Sequence, residues 1–165
     1  MTPRFEVMQL IRLMYTSVAS PGLSYDALTS ILRTATAHNA TNGITGVLCY
    51  TGSAFLQALE GHRSDVNRLY NRITRDTRHG ASELLCFGEI SAREFPDWSM
   101  KLIRCDGAST SERRALFLRY TDDETIAPRT MSAAQALMFL TEMAKLERAP
   151  RPPKRSTERR IKGAA

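Results

Sequence analysis

Gln57 stands in Phe55-Leu56-Gln57-Ala58-Leu59-Glu60-Gly61, a run otherwise suited to a buried strand. Side chains alternate faces along a strand, so Gln57 shares a face with Phe55 and Leu59. A buried amide left without partners costs roughly 1–3 kcal/mol. Gln57 therefore faces a loose part of the core or pairs with something specific, and a ligand edge would serve. Tyr15, on one face with Ile11 and Leu13, is a candidate partner if their strands are neighbours. A backbone carbonyl is the ordinary alternative for a buried phenol. Asn39 follows Leu32 by seven residues and Ala35 by four, on the apolar stripe of a helix. Its amide matches a ring edge with C=O beside N–H, as flavin carries at C4=O and N3–H; it could equally bond its own backbone.

Arg72, Asp76 and His79 stand at i, i+4 and i+7, one stripe of a helix if the helix reaches that far. They read as ligand contacts between two helices or as a solvated ion-pair stripe. His38 could rest on a ring or face solvent, and His62 reads as a loop residue. The three histidines lack ligand-like spacing, so no metal site is expected. No Gly-rich phosphate loop, hydrolase elbow or zincin motif occurs.

The elements that must position these residues can be read from periodicity. Gln9 to Ser17 is a strand with Ile11, Leu13 and Tyr15 on one face and Leu10, Arg12 and Met14 on the other. A helix capped by Ser24 follows, with Leu28, Ile31, Leu32 and Ala35 inward, ending at Asn42-Gly43. Ile44 to Tyr50 and Ala54 to Glu60 form a hairpin over Thr51-Gly52-Ser53. Ser64 caps a second helix with Val66, Leu69, Tyr70 and Ile73 buried. Strands at Glu83 to Ser91 and Trp98 to Arg104 complete the order β-α-β-β-α-β-β. That order predicts a ferredoxin-like α+β sandwich with two helices on one sheet face. Two more helices, Ser111 to Tyr120 and Ser132 to Glu147, are expected to cover the other face or make a dimer contact.

The chain has 165 residues and a net charge of +6. From Arg148 onward, Arg148, Arg151, Lys154, Arg155, Arg159, Arg160 and Lys162 meet a single acid, Glu158, so this tail holds the whole excess. Any attraction to nucleic acid must lie there, and a solvated, disordered tail is the expectation. No apolar run is long enough for a membrane span, and Arg12 interrupts the stretch Met8 to Tyr15, which excludes a signal peptide. Cys49, Cys86 and Cys105 form no motif and suggest reduced thiols in a cytoplasm.

Taken together, Leu13-Met14-Tyr15-Thr16-Ser17, Asn39-x-x-Asn42-Gly43-Ile44-Thr45-Gly46-Val47-Leu48-Cys49-Tyr50, Phe55 to Gly61, Arg72-x-x-x-Asp76 and Phe95-x-x-Trp98-Ser99-Met100 resemble the BLUF family, blue-light sensors using FAD. The likeness spans about residues 9 to 105, and the last two helices resemble the short stand-alone members. It implies a sensor domain at 1–107, a helical extension at 108–147 and the tail at 148–165. It implies FAD between the two helices, in contact with Tyr15, Ile31, His38, Asn39, Gln57, Arg72, Asp76 and His79. It further implies Tyr15 as electron donor, Gln57 as the switching amide, and Trp98 and Met100 as a relay on the last strand. Alternation would put Trp98 and Met100 on one face. Thr34, Ala35, Thr36 and Ala37 replace the Ser or basic residue of many members, which leaves FMN and riboflavin open beside FAD. The implied partners are an effector or regulator protein in trans and further copies of the chain, as a dimer or larger ring, with no enzymatic activity. The competing readings are a flavin-free interaction module with a nucleic-acid-binding tail and an acylphosphatase-like enzyme. The second is disfavoured because Val18 to Leu23 carries no Arg or Lys.

Overall fold

The computed structural model describes residues 9–107, 109–122 and 124–149. The expected basic tail lies outside these from residue 150 on. The elements are β1 (Leu10–Ala19), α1 (Tyr25–Thr41), β2 (Thr45–Tyr50), β3 (Ala54–His62), α2 (Arg63–Ile73), β4 (His79–Glu89), β5 (Lys101–Arg104), α3 (Ser111–Phe117), a 3₁₀ turn (Pro128–Thr130) and α4 (Ala133–Arg148). One sheet runs β4-β1-β3-β2-β5. Its pairs are antiparallel except β2 with β5. This is the ferredoxin-like α+β arrangement expected from the element order.

Alternation sorts each central strand between two cores. Ile11, Leu13, Tyr15, Phe55 and Leu59 pack with Leu28 of α1 and with Val66 and Leu69 of α2. Met14, Val47, Cys49, Leu56 and Ala58 pack on the opposite face with Phe117 of α3 and with Phe139, Leu140 and Met143 of α4. The C-terminal helices thus cover the far side of the sheet. Every residue of β3 except His62 is buried, so Gln57 has little contact with bulk water.

Several boundaries differ from expectation for local reasons. Ser64 is not the cap of α2; His62 occupies that position without a side-chain bond. α3 is capped by Thr110, whose hydroxyl accepts from Arg113 N, and ends at Phe117 rather than Tyr120. The Ser24 and Ser132 caps stand as expected, and Ser132 forms a reciprocal capping box with Gln135. β4 begins at His79, ahead of Glu83, because the ladder to β1 tolerates irregular register there and Ala81 takes φ +48°. α2 ends at Ile73, so Arg72, Asp76 and His79 do not share a helical stripe. Asp76 instead closes a turn by accepting Arg78 N at 2.9 Å.

β2 and β3 approach closely because Gly46 has no side chain. A Cβ there would sit 2.0 Å from the Ala58 carbonyl oxygen. Gly46→Ala is expected to force the hairpin apart at a cost of about 3 kcal/mol, lowering Tm by roughly 6–12 °C. A thermal melt matching that of the unaltered protein would show that the strands tolerate separation.

Candidate functional site

Tyr15 and Gln57 stand directly opposite one another in the β1–β3 ladder. Tyr15 Oη donates to Gln57 Oε1 at 2.5 Å, and both residues are buried. Burial raises the phenol pKa above its ordinary value, with Tyr70 and then Asp76 adding to the effect. The proton therefore stays on Tyr15 and is held against the amide oxygen. The other end of Gln57 is less well served. Nε2 donates to Met100 Sδ at 3.4 Å, a weak acceptor. Gln57 so retains donor capacity on its nitrogen side.

Asn39 lies in the last turn of α1 and is fully buried. Nδ2 donates to the Ser99 carbonyl at 2.8 Å, while buried Oδ1 has no partner among the described residues. An unpaired buried carbonyl oxygen is costly, and a ligand N–H would satisfy it. His79 repeats the pattern. Its Nε2 lies 2.8 Å from the Ile73 carbonyl, and its Nδ1 is buried without a partner.

These groups line one cleft, partly open to solvent, between α1, α2 and the sheet. Tyr15, Ile31, His38, Asn39, Gln57, Arg72, Asp76 and His79 all reach it, although they come from five elements and one turn. Leu48, Phe55, Leu69 and Ile73 supply apolar walls that suit a flat ring, and Thr34 and Ala35 line it from α1. An apolar slot holding an unpaired amide carbonyl and a free imidazole nitrogen fits an isoalloxazine ring with polar edges.

Charge gathers at the rim. Arg78, not singled out by the sequence reading, bonds both oxygens of Asp76 and also lines the cleft. These hydrogen bonds hold the Asp76 carboxyl below the usual carboxylate range despite partial burial. The available signal was a cation two residues past an Asp, within one turn. Arg72 Nη1 lies 3.3 Å from His38 Nδ1, so His38 is engaged by a neighbouring side chain at the rim. His62 ends β3 and does not reach the cleft.

Trp98 and Met100 require a correction. Neither belongs to β5, which begins at Lys101. They also pack on opposite sides: Met100 joins the cleft-side core beside Gln57, and Trp98 packs against the α4-side core. Alternation fails because this segment has no ladder. It is held by single bonds from Gly46 N to the Trp98 carbonyl, 2.9 Å, and from Asn39 to the Ser99 carbonyl.

Known proteins place this geometry in context. The family model "BLUF: Sensors of blue-light using FAD" matches residues 10–101. Photoactivated adenylate cyclase subunit beta of Euglena gracilis is 37% identical over 92 residues, 55% of this chain and 11% of the relative. The chain thus spans about a tenth of that relative's length. Among solved structures, the BlsA ground state shares 30% identity at a TM-score of 0.73, covering 90% of this chain and 95% of that one. The dark state of BlrB, described as a BLUF protein, shares 29% at a TM-score of 0.68, covering 84% and 97%. None of these matches supports an acylphosphatase-like enzyme or a flavin-free module.

His38 offers a check on the rim. Its pKa is lowered by partial burial first and by Arg72 second. The folded chain therefore resists protonating it, and the resulting penalty grows as pH falls below the ordinary histidine value of about 6.5. Arg72→Gln is expected to move the His38 titration upward, as followed by imidazole NMR. A titration midpoint that stays or falls would remove Arg72 as a cause.

Proposed function

Because the chain belongs to the BLUF family of blue-light sensors using FAD, we propose that it signals light through the hydrogen-bond network centred on Gln57. The observation that carries this reading is the chain of contacts from Tyr15 Oη through Gln57, both lining the cleft, to Met100 Sδ in the core beside it. Asn39 and Gln57 would hold the polar edge of the ring, and Ile31 would be among the residues walling it. His38, Arg72, Asp76 and His79 form the polar surround.

When bound, the flavin supplies blue-light absorption and, once excited, a strong one-electron oxidant. Tyr15 is the electron donor. With flavin bound, its Oη proton would pass to Gln57 Oε1 along the short bond as Gln57 Nε2 gives up one of its own protons toward the ring, so Tyr15 and Gln57 would both stay uncharged. When Tyr15 recovers electron and proton, Gln57 has rotated or tautomerised. An amide has opposite hydrogen-bonding ends, so either change rewires the network at constant charge. Reversal of Gln57 presents Oε1 toward Met100 and withdraws the donor that Sδ accepts. That destabilises the dark setting of residues 98–100 and biases a two-state segment.

The domain is a sensor rather than a catalyst, and its output goes to another protein. A relative of this chain is named as an adenylate cyclase subunit. We take the partner here to be an effector or regulator reached in trans, with the chain itself assembled as a homo-oligomer. No helix among the described residues is long and apolar enough to cross a membrane.

Absorption spectra of the purified protein before and after blue light test the reading. The expected result is a flavin spectrum that shifts to the red and relaxes in the dark. A colourless protein that takes up no added FAD would overturn it. Gln57→Leu is expected to keep flavin and lose the shift; a normal shift in that variant would remove Gln57 from the mechanism.

A further inference from the structure

Glu60 is a fully buried carboxylate that the photochemistry does not use. It lies in β3 opposite Arg12 of β1 and Thr45 of β2. Three residues from Gln57, it points away from the cleft. Arg12 Nε and Nη2 lie 2.8 and 2.7 Å from Oε1. The remaining acceptor capacity goes to backbone: Glu94 N donates to Oε1 at 3.1 Å and Phe95 N to Oε2 at 3.0 Å. Arg93 reaches back in the other direction. Its Nη1 donates to Thr45 Oγ1 at 2.8 Å and to the Glu60 carbonyl at 2.7 Å, and its Nη2 to the Gly43 carbonyl at 2.7 Å. The Phe95 ring is fully buried in the α4-side core.

Residues 93–95 are thus clasped to β3 from both sides. A few residues on, the same connector meets the cleft: Ser99 bonds Asn39 and Met100 bonds Gln57. At Lys101 the chain enters the ladder with β2. We propose that Glu60 is a positioning residue of the light response: it fixes residues 93–95, so that displacement begun at Gln57 and Met100 is confined to residues 96–100, which include Trp98. This rests on the photoreceptor reading above. A displaced Met100 pulls a short tether against a fixed post, and the strain drives its return in the dark. The residue type fits the task. Two backbone N–H groups and a guanidinium need an acceptor on both oxygens, and a carboxylate provides it. A glutamine would turn an NH₂ toward either Arg12 or the Phe95 N–H.

The test is Glu60→Gln in the flavin-loaded protein, with three readouts: the flavin red shift, the dark-recovery rate, and the light-minus-dark emission of Trp98, the single tryptophan of the chain. The expected result is a red shift of native size, because Tyr15 and Gln57 are untouched. Recovery slows several-fold and the Trp98 response shrinks. A native shift with native recovery and a native Trp98 response would overturn the proposal. If Glu60→Gln does not fold, Arg93→Gln decides, since it loosens the same post from the surface side. Slowed recovery there supports the post, and native recovery overturns it. Absence of any light-induced shift in the unaltered protein would instead overturn the photoreceptor reading.

Discussion

The Tyr15–Gln57 hydrogen bond sets the terms for the rest of the molecule. It joins two side chains inside a sheet whose central strands are covered on both faces, and both are almost wholly buried at the floor of the cleft. An amide in that position must have its partners built for it. The β1–β3 register brings the phenol opposite the amide, and α1 and α2 wall the cleft above them. The hydrogen bond thus depends on the whole ladder. A slip of one residue would turn Tyr15 to the other core.

The polarity of the cleft follows from the same constraint. Its most buried polar groups, Tyr15, Gln57 and Asn39, carry no charge, and the charged Arg72, Asp76 and Arg78 stay at the rim. Isolated charge at the depth of Gln57 would cost several kcal/mol. A switch made from a neutral amide avoids that cost in both settings. The pKa of Tyr15 is raised for the same reason, because a phenolate there would be a buried charge.

Much of this was legible in the sequence, because alternation and helical spacing are read directly from residue type. The element order, the sorting of Ile11, Leu13 and Tyr15 away from Met14, and the caps at Ser24 and Ser132 all followed from that pattern. The residues expected at the flavin converge on one cleft although they are scattered from Tyr15 to His79. What escaped was local geometry without a period. Asp76 and His79 reach the cleft through a turn, not along a longer α2. Arg78 gained its place only because Asp76 folds back on it. Trp98 and Met100 looked like alternating strand residues, yet no ladder forms before Lys101. Periodicity says nothing about a segment held by single hydrogen bonds.

That last departure has the largest consequence. Were Trp98 and Met100 on one face, a change at Gln57 would stay on the cleft side of the sheet. They lie on opposite sides, so the connector itself passes from one core to the other. The sheet between them is a poor transmitter: its interior is close-packed, and β3 contacts are mutually fixed. The connector is a better one, because few bonds hold it between Phe95 and Lys101. On the α4 side the Arg148 guanidinium lies 4.5 Å from the Trp98 ring centroid, and Arg148 pairs with Asp97 at 3.2 Å. The path from Gln57 to the last turn of α4 therefore runs through Met100, Ser99 and Trp98, around the edge of the sheet. A movement of about one ångström at Met100 has somewhere to go along this path. Through the sheet it would have to displace Leu56 and Ala58, both fully buried in a close-packed interior.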